Sequence, residues 1–228
     1  MKKITIFVGL SFIVGLNGCA TPATSTFDYQ DRAAVSVENE ITVDKPFEDV
    51  WNGLVRQLAK GYFVVNNIEK ESRLINVSFS TTSPEDYIDC GRTKRTFTKG
   101  KENVEYDYEV AANSSYKYGA GTSADGVFTL VGYVDRDTNL EGRINIYIAP
   151  NDPITEVTVN VRYILTLSTS GQITSENIYG KVMQSQAIPN SSDTISFNTN
   201  QPNKSQEGIS CFSKGVLETE ILEMAKTN

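Results

Sequence analysis

The chain has 228 residues, enough for one medium domain or two small ones, and its 39% hydrophobic and 21% charged residues are typical of a folded protein with a core. The formal net charge of −7 disfavours nucleic-acid binding and adhesion to anionic lipid through a basic face. The absence of His from the sequence excludes a Ser–His–Asp or Cys–His catalytic system and any His-ligated zinc or haem site. We therefore expect no cofactor, no metal and no nucleic-acid partner.

The N-terminal 18 residues follow the pattern of a signal peptide. Lys2 and Lys3 form a short positive region, and residues 4–16 are uncharged and mostly apolar. A stretch of this length suits the hydrophobic region of a signal peptide and is too short to span a bilayer comfortably. We predict that residues 1–18 are removed from the mature protein.

Cys19 closes the tetrapeptide Leu16-Asn17-Gly18-Cys19. This tetrapeptide resembles the lipobox of bacterial lipoproteins, although Asn17 is uncommon at its position. The resemblance implies a diacylglycerol on Cys19, cleavage before it, and N-acylation of the new terminus, typically with palmitate. Because each buried CH₂ group of the acyl chains contributes about 0.8 kcal/mol, such an anchor is effectively permanent. The alternative is an ordinary secretory signal with an incidental cysteine.

The residues after Cys19 bear on location. Ala20 stands where Asp would retain a lipoprotein in the inner membrane, so by analogy with Gram-negative sorting we expect the bacterial outer membrane, with the protein facing the periplasm. Residues 20–26 are small, polar and contain a proline, a composition typical of flexible linkers. We predict a flexible tether over residues 19–35 and a single α+β domain over residues 36–228.

If Cys19 carries lipid, Cys90 and Cys211 remain as one pair. An exported protein meets an oxidising periplasm, where a disulfide forms and persists. We predict a structural Cys90–Cys211 bond, which closes a loop of about 120 residues and contributes on the order of 4–5 kcal/mol in the chain-entropy model. Two separate buried thiols are the alternative.

An amphipathic helix after residue 46 is the clearest element in the sequence. Asp44 is suited to cap it, Pro46 is tolerated in a first turn, and Gly61 ends it. Trp51, the only Trp, falls on the apolar stripe, so we favour core packing over ligand stacking for it. The stripe repeats at helical spacing and consists of Phe47, Val50, Trp51, Leu54, Val55, Leu58 and Ala59.

Strand patterns fill much of the remaining chain, and a second helix closes it at about residues 213–226. The longest alternation of apolar and polar residues runs from Val157 to Leu167. We interpret residues 92–103 and 113–126 as loops, and residues 178–183 as a partner of the longest strand. The other predicted strands are residues 40–43, 62–68, 74–79, 104–110, 127–134, 144–148 and 194–197.

Three segments within residues 43–77 form a recognisable series: VDKPFEDVW at 43–51, GYFVV at 61–65 and EKESRLI at 69–75. They resemble the opening of the BamC-like helix-grip domains of bacterial envelope lipoproteins, in which a strand leads into a D-x-P-F-x-x-V-W helix, a G-F-x-V strand and an acidic turn with S-x-x-I. The resemblance implies an antiparallel β-sheet with two main helices packed on one face, here with a strand-rich centre. It bears on fold more than on function.

Two local patterns are candidates for chemistry. Asp86 and Asp89 flank Tyr87 as a paired-carboxylate or calcium site, but no third ligand is suitably spaced, so we favour a solvated turn. Residues 119–122 read Gly-Ala-Gly-Thr. They resemble a phosphate loop only superficially, because the Gly-Lys-Ser/Thr ending and a following helix are absent from the pattern.

Aromatic and basic residues cluster in the strand-rich centre. Tyr106 and Tyr108 share one strand face and are expected in a core, whereas Tyr116 and Tyr118 lie toward a predicted loop and could stack on a sugar or a partner. A basic run is interpreted as a solvated loop or as a face for anionic envelope polymers. It consists of Arg92, Lys94, Arg95, Lys99 and Lys101.

Two functional hypotheses follow. The missing His and the lack of a paired catalytic motif favour a non-enzymatic lipoprotein that acts as a protein-interaction or scaffold module, with membrane lipid and another envelope protein as partners. The alternative is a glycan- or peptidoglycan-binding or carboxylate-based hydrolytic module. We assign no catalytic or ligand-binding residue. A deep pocket with convergent carboxylates near residues 86–101 and 116–126 would favour the alternative, and a shallow face the first hypothesis.

The lipid anchor is directly testable with Cys19→Ser. We expect this variant to accumulate unprocessed or as a soluble, unlipidated form, because the side chain that accepts diacylglycerol is gone. Membrane fractionation and intact mass measure the outcome, with Cys90→Ser as a control that keeps the anchor. Unchanged processing and membrane binding of Cys19→Ser would contradict the lipobox interpretation.

Overall fold

The computed structural model describes residues 21–33, 35–204 and 208–227. The predicted signal peptide and the lipid attachment at Cys19 lie outside these residues. Within the described ranges, no helix combines the length and apolar character needed to cross a bilayer. The fold is α+β, mostly antiparallel sheet with two helices, as the sequence predicts.

Among the described residues, the elements are thirteen strands, two helices and one 3-10 turn. In chain order they are β1 (Ala23–Gln30), β2 (Glu40–Val43), α1 (Phe47–Leu58), β3 (Val64–Glu69), β4 (Leu74–Thr81), a 3-10 turn (Pro84–Asp86), β5 (Ile88–Asp89), β6 (Arg92–Lys99), β7 (Glu102–Glu109), β8 (Ser114–Thr122), β9 (Thr129–Asn151), β10 (Ile154–Glu176), β11 (Val182–Asn198), β12 (Asn203–Lys204), β13 (Ser210–Ser213) and α2 (Val216–Lys226).

A hairpin of β9 and β10 runs through the whole molecule. Each strand has 23 residues, and their register is continuous from Asn151↔Ile154 to Thr129↔Glu176, which corresponds to a length of about 75 Å. The free edge of β9 pairs with β4 near one end and with β8 near the other. The free edge of β10 pairs with β2 and then β11. The hairpin therefore runs through two halves of the fold. The half with β2 and β4 also holds the helices and is called the helical half, and the other half contains β8.

The predicted strands at residues 127–134 and 144–148 are parts of one strand, β9. The intervening residues keep the alternation, but their buried positions are Thr138, Leu140 and Gly142, only one of which is a large apolar side chain. The predicted pairing of residues 178–183 with the longest strand is wrong for residues 178–181, which form a turn, whereas β11 begins at Val182 and pairs with β10.

In the helical half, α1 and α2 pack on the same face of the main sheet and on each other. The stripe predicted for α1 is confirmed except at Ala59, which follows the helix and is exposed. Phe47 and Val55 are partly buried, and the buried members are Val50, Trp51, Leu54 and Leu58. Trp51 lies in the core with its ring centroid 5.6 Å from that of Phe47, as the packing interpretation expects. The sheet contributes alternating buried side chains, among them Ile144, Ile146, Ile148, Val157, Val159, Val161, Tyr163 and Leu165.

In the other half, a three-stranded sheet in the order β1-β6-β7 packs against the part of the main sheet formed by β8 to β11. A small core of Ala23, Phe97 and Val131 joins them. The set of buried residues along β10 changes at Gly171. Before it the buried residues have odd numbers, as Leu165 and Leu167 do, and after it they have even numbers. A Cβ on Gly171 would lie 2.1 Å from the carbonyl oxygen of Tyr133, so this close approach requires glycine.

The flexible tether predicted over residues 19–35 is contradicted at residues 23–30, which form β1. This strand pairs with β6 over its full length, from Ala23↔Lys99 to Gln30↔Arg92. The predicted loops at residues 92–103 and 113–126 are likewise largely strand, as β6, the start of β7 and β8. Their Ser, Thr and Gly content is typical of loops, but pairing with distant strands decides their conformation.

Cys90 and Cys211 form the predicted disulfide, with an Sγ–Sγ distance of 1.98 Å. Both cysteines are buried. The bond lies beside the pairing of β5 with β13 and ties the segment before α2 to the segment before β6. It therefore fixes the C-terminal helix to the early part of the fold.

Glu218 on α2 is fully buried, although it carries a charged side chain. The buried residues are Leu217, Glu218, Ile221, Leu222 and Ala225. The carboxylate of Glu218 accepts hydrogen bonds from Tyr163 Oη at 2.9 Å, Thr199 Oγ1 at 2.8 Å and Ser213 Oγ at 3.2 Å. Its negative charge in the first turn of α2 is also stabilised by the positive N-terminal end of the helix dipole.

Removal of the disulfide should lower stability without changing the fold. We expect Cys90→Ala combined with Cys211→Ala to lower the free energy of unfolding by about 4–5 kcal/mol, because the unfolded chain regains the loop entropy. Urea denaturation measures this loss. The unchanged protein treated with reductant should match the double variant, and a double variant with the original midpoint would contradict the prediction.

Tyr163→Phe should destabilise the fold by about 1–3 kcal/mol, since it removes one of the donors to a buried carboxylate. Tyr147→Phe is the matched control, because Tyr147 is 41% exposed on the adjacent strand β9 and its change should stay within about 0.5 kcal/mol. Equal unfolding midpoints for the two variants in urea would show that the buried hydroxyl contributes nothing.

Candidate binding cleft

A cleft opens between the β1-β6-β7 sheet and strands β8 to β11. Its volume is about 270 Å³. Each strand contributes alternate side chains, since residues at a spacing of two share a face. The polar and aromatic residues that line it are Phe27, Tyr29, Thr93, Arg95, Tyr108, Tyr116, Arg136, Thr169, Ser191 and Asp193.

Arg95 is held between two aromatic rings. Its Cζ lies 4.5 Å from the ring centroid of Phe27 and 4.2 Å from that of Tyr116. Nε donates a hydrogen bond to Tyr108 Oη at 2.8 Å. The alternation of β6 places Arg95 on the inward side between buried Thr93 and Phe97. The guanidinium group is therefore oriented before any ligand arrives.

Arg136 supplies a second positive charge. Its Nη1 donates to the carbonyl oxygen of Ala112 at 2.9 Å, and Nη2 donates to that of Val110. Burial lowers the pKa of Arg136, but an arginine stays protonated at any physiological pH. Within the described ranges, neither Arg95 nor Arg136 forms an ion pair.

The tyrosines of the cleft stack on one another. Tyr108 and Tyr116 are nearly parallel, with ring centroids 6.0 Å apart and an interplanar angle of 9°. Tyr106 contacts Tyr116 edge-on at 6.4 Å and packs against the small core. Burial raises the pKa of Tyr116, which keeps its hydroxyl neutral. Tyr118 lies instead against Gly132, where an added Cβ would meet its ring.

The predicted basic run is divided by the alternation of β6. Arg95 enters the cleft, whereas Arg92 pairs with Asp107 at 3.0 Å and Glu109 at 3.4 Å. Lys99 forms an ion pair with Glu176. The interpretation as a solvated loop is therefore wrong for the four residues within β6, which is a paired strand with different roles for its side chains. It holds for Lys101, which is exposed in the turn after β6.

Asp86 and Asp89 do not share a cavity of the described structure: Asp89 lines one of about 350 Å³, whose lining does not include Asp86. Asp86 is exposed in the 3-10 turn. Asp89 Oδ1 accepts a hydrogen bond from the backbone N–H of Gly91 at 2.9 Å, and Oδ2 lies 3.6 Å from Nε of Arg32. In the described part of the chain, no group of three or more Cys, Asp and Glu side chains is arranged to hold a metal ion.

Residues 119–122 are part of strand β8 and therefore do not form a phosphate loop. A Cβ on Gly119 would lie 2.3 Å from the carbonyl oxygen of Ala23, and its backbone N–H donates to Ser25 Oγ at 2.8 Å. The glycine at this position permits β1 to pass close to β8.

Arg136 and Asp193 are cleft residues that the sequence analysis missed. Arg136 falls on the same alternating row of β9 as Thr138, Leu140 and Ile144. The signal that could have identified Arg136 was a charged residue in a row of otherwise buried side chains. A charge at such a position needs a partner or a ligand.

The cleft is suited to bind an anionic group. Arg95 and Arg136 face one carboxylate, Asp193, so the sum of charges at the site is positive. A hydrolytic site of the glycosidase type needs two carboxylates, and among the described lining residues Asp193 is the only one. The alternative hypothesis expects convergent carboxylates near residues 86–101 and 116–126, whereas arginines converge on this cleft.

The chain has no match among known protein families, curated proteins or solved structures.

Proposed function

We propose that the protein is a non-enzymatic lipoprotein of the bacterial envelope, anchored in the outer membrane by acylated Cys19 and facing the periplasm. Its cleft binds an acidic group of another envelope protein, which makes it an interaction or scaffold module. The observation that carries this proposal is the convergence of Arg95 and Arg136 on one cleft without an ion-pair partner among the described residues.

The proposed location in the bacterial envelope rests on the N-terminal sequence, and the disulfide supports it. Disulfides persist in exported proteins and are rare in the cytosol. The buried Cys90–Cys211 bond is therefore compatible with export through the signal peptide. The lipobox then supplies the anchor, and Ala20 favours the outer membrane.

The helix-grip assignment belongs to the same proposal. Two helices lie on one face of an antiparallel sheet, which is the arrangement implied by the resemblance of residues 43–77. The long hairpin and the β1-β6-β7 sheet lie outside the segment of that resemblance. We assign the helix-grip unit to the helical half and the binding role to the other half.

A carboxylate in the cleft would meet a cation that is already in position. Stacking on Phe27 and Tyr116 restricts the rotamers of Arg95, so less side-chain entropy is lost on binding. Since the site is partly screened from water, the attraction between opposite charges is stronger than on an open surface. A glycan would find less aromatic surface for stacking in the cleft, because Tyr116 already stacks with Tyr108 and Arg95.

Photo-crosslinking in intact cells tests this function. A photoreactive residue at Ser191, which lines the cleft, should capture an envelope protein, whereas one at exposed Asn160 should not. Arg95→Gln should weaken the interaction about 10- to 100-fold, because a hydrogen bond to a charged group contributes about 1.5–3 kcal/mol. Immunoblotting of the adduct measures the loss.

Arg92→Gln is the matched control, since Arg92 lies on the same strand but pairs with Asp107 and Glu109 outside the cleft. The adduct should survive this change. An adduct at Ser191 that persists in Arg95→Gln would remove the cleft from the proposal, and an adduct made of peptidoglycan would favour the glycan-binding alternative.

A further inference from the structure

One end of the molecule gathers the first described residue and three hairpin turns. Thr129 Oγ1 donates a hydrogen bond to the carbonyl oxygen of Thr21 at 2.7 Å, and Thr129 pairs with Glu176 at the end of the long hairpin. The turn at Gly100 lies beside Thr21 as well. Cys19 precedes Thr21 by two residues in the sequence, and two residues of chain span at most about 7 Å.

The same end presents exposed apolar side chains. Tyr179 is 87% exposed at the turn between β10 and β11, and Ile178, Val182 and Met183 are between 48% and 54% exposed. Val127, in the turn between β8 and β9, is 45% exposed. Four apolar residues within six positions are unusual on a surface that faces only water.

The turn itself is held in a defined conformation. Asn177 Oδ1 accepts hydrogen bonds from the backbone N–H groups of Tyr179 and Lys181, both at 3.0 Å. The N–H of Gly180 donates to the carbonyl oxygen of Asn177 at 2.8 Å. These hydrogen bonds give the N–H groups of Tyr179, Gly180 and Lys181 partners within the turn, which lowers the free-energy cost of moving the turn away from water.

We infer that this end faces the membrane and that the turn Ile178–Met183 inserts its side chains into the headgroup region of the bilayer. The inference rests on the proposed anchoring through Cys19, which would hold the turn at the lipid surface. Tyr and aliphatic side chains are favoured at the membrane interface, and Lys181 adds a cation that can reach headgroup phosphates.

The strand geometry separates this end from the cleft. Thr169, which lines the cleft, precedes Glu176 by seven residues on β10, which corresponds to about 23 Å. With the turn at the bilayer surface, the cleft is held in the aqueous phase at a fixed distance. A short link at Cys19 and a rigid body thus position the binding site relative to the membrane.

Fluorescence quenching by brominated phospholipid tests the inference on the full chain purified from membranes and reconstituted into phosphatidylethanolamine–phosphatidylglycerol vesicles. The native Trp51 is buried in the core of the other half and serves as a constant background. We expect the added fluorescence of Tyr179→Trp to be quenched by brominated lipid. Tyr147→Trp, at an exposed position near the opposite end of the hairpin, should keep its fluorescence.

The readouts distinguish the two proposals. Mass spectrometry of the N-terminal peptide reports the acylation of Cys19. If the acylated protein shows no quenching at Tyr179→Trp, the membrane-facing end is wrong and the anchor stands. A blue-shifted but unquenched signal would mean that a protein surface, such as a second copy, covers the turn, and this too overturns the inference. An unmodified Cys19 overturns both proposals.

Discussion

The continuous pairing of β9 with β10 is the constraint on which the rest of the structure depends. Because the side-chain period of a strand is two, a slip of one residue would move every buried side chain to the opposite face. The row from Val157 to Leu167 therefore fixes the register in the helical half. The same register then determines which residues meet in the other half, where Arg136 lies opposite Thr169.

Two buried interactions hold the C-terminal segment against the rest of the fold. The disulfide joins Cys211 to Cys90. Seven residues after Cys211, the carboxylate of Glu218 accepts hydrogen bonds from hydroxyl groups of β10, of the residue after β11 and of β13. A buried carboxylate is tolerated only when its acceptors are satisfied. The cluster consequently specifies how α2 docks on the sheet, beyond the apolar contacts that hold it there.

The two proposals place function in the half of the fold that lies beyond the helical core. In that half the β1-β6-β7 sheet covers one side of the hairpin, leaving the arginine-lined cleft between them. The turn between β10 and β11, at the open end of the hairpin, carries the exposed apolar side chains. In these proposals, recognition of an acidic partner and contact with lipid take place at different positions along β10. An anchored scaffold needs this separation, because a binding site pressed against the bilayer would not be accessible to a periplasmic partner.

The sequence by itself determined the features that local patterns encode. The apolar stripe of α1, the alternation of β10, the α+β class and the Cys90–Cys211 pair follow from periodicity and from a count of cysteines. The cellular location and the lipid anchor rest on residues 1–20 of the sequence alone and remain predictions. The structural inferences are confirmed where a periodic pattern and the final environment agree.

Only the tertiary structure decided which polar segments become strands. Residues 23–30, 92–99 and 114–122 have compositions that are typical of tethers and loops, yet each pairs with a strand that is distant in sequence. The burial of Glu218 and the convergence of Arg95 with Arg136 have the same origin. Such contacts depend on which strands lie side by side, and the free energy of long-range pairing overrides the weak local preference of Ser, Thr and Gly.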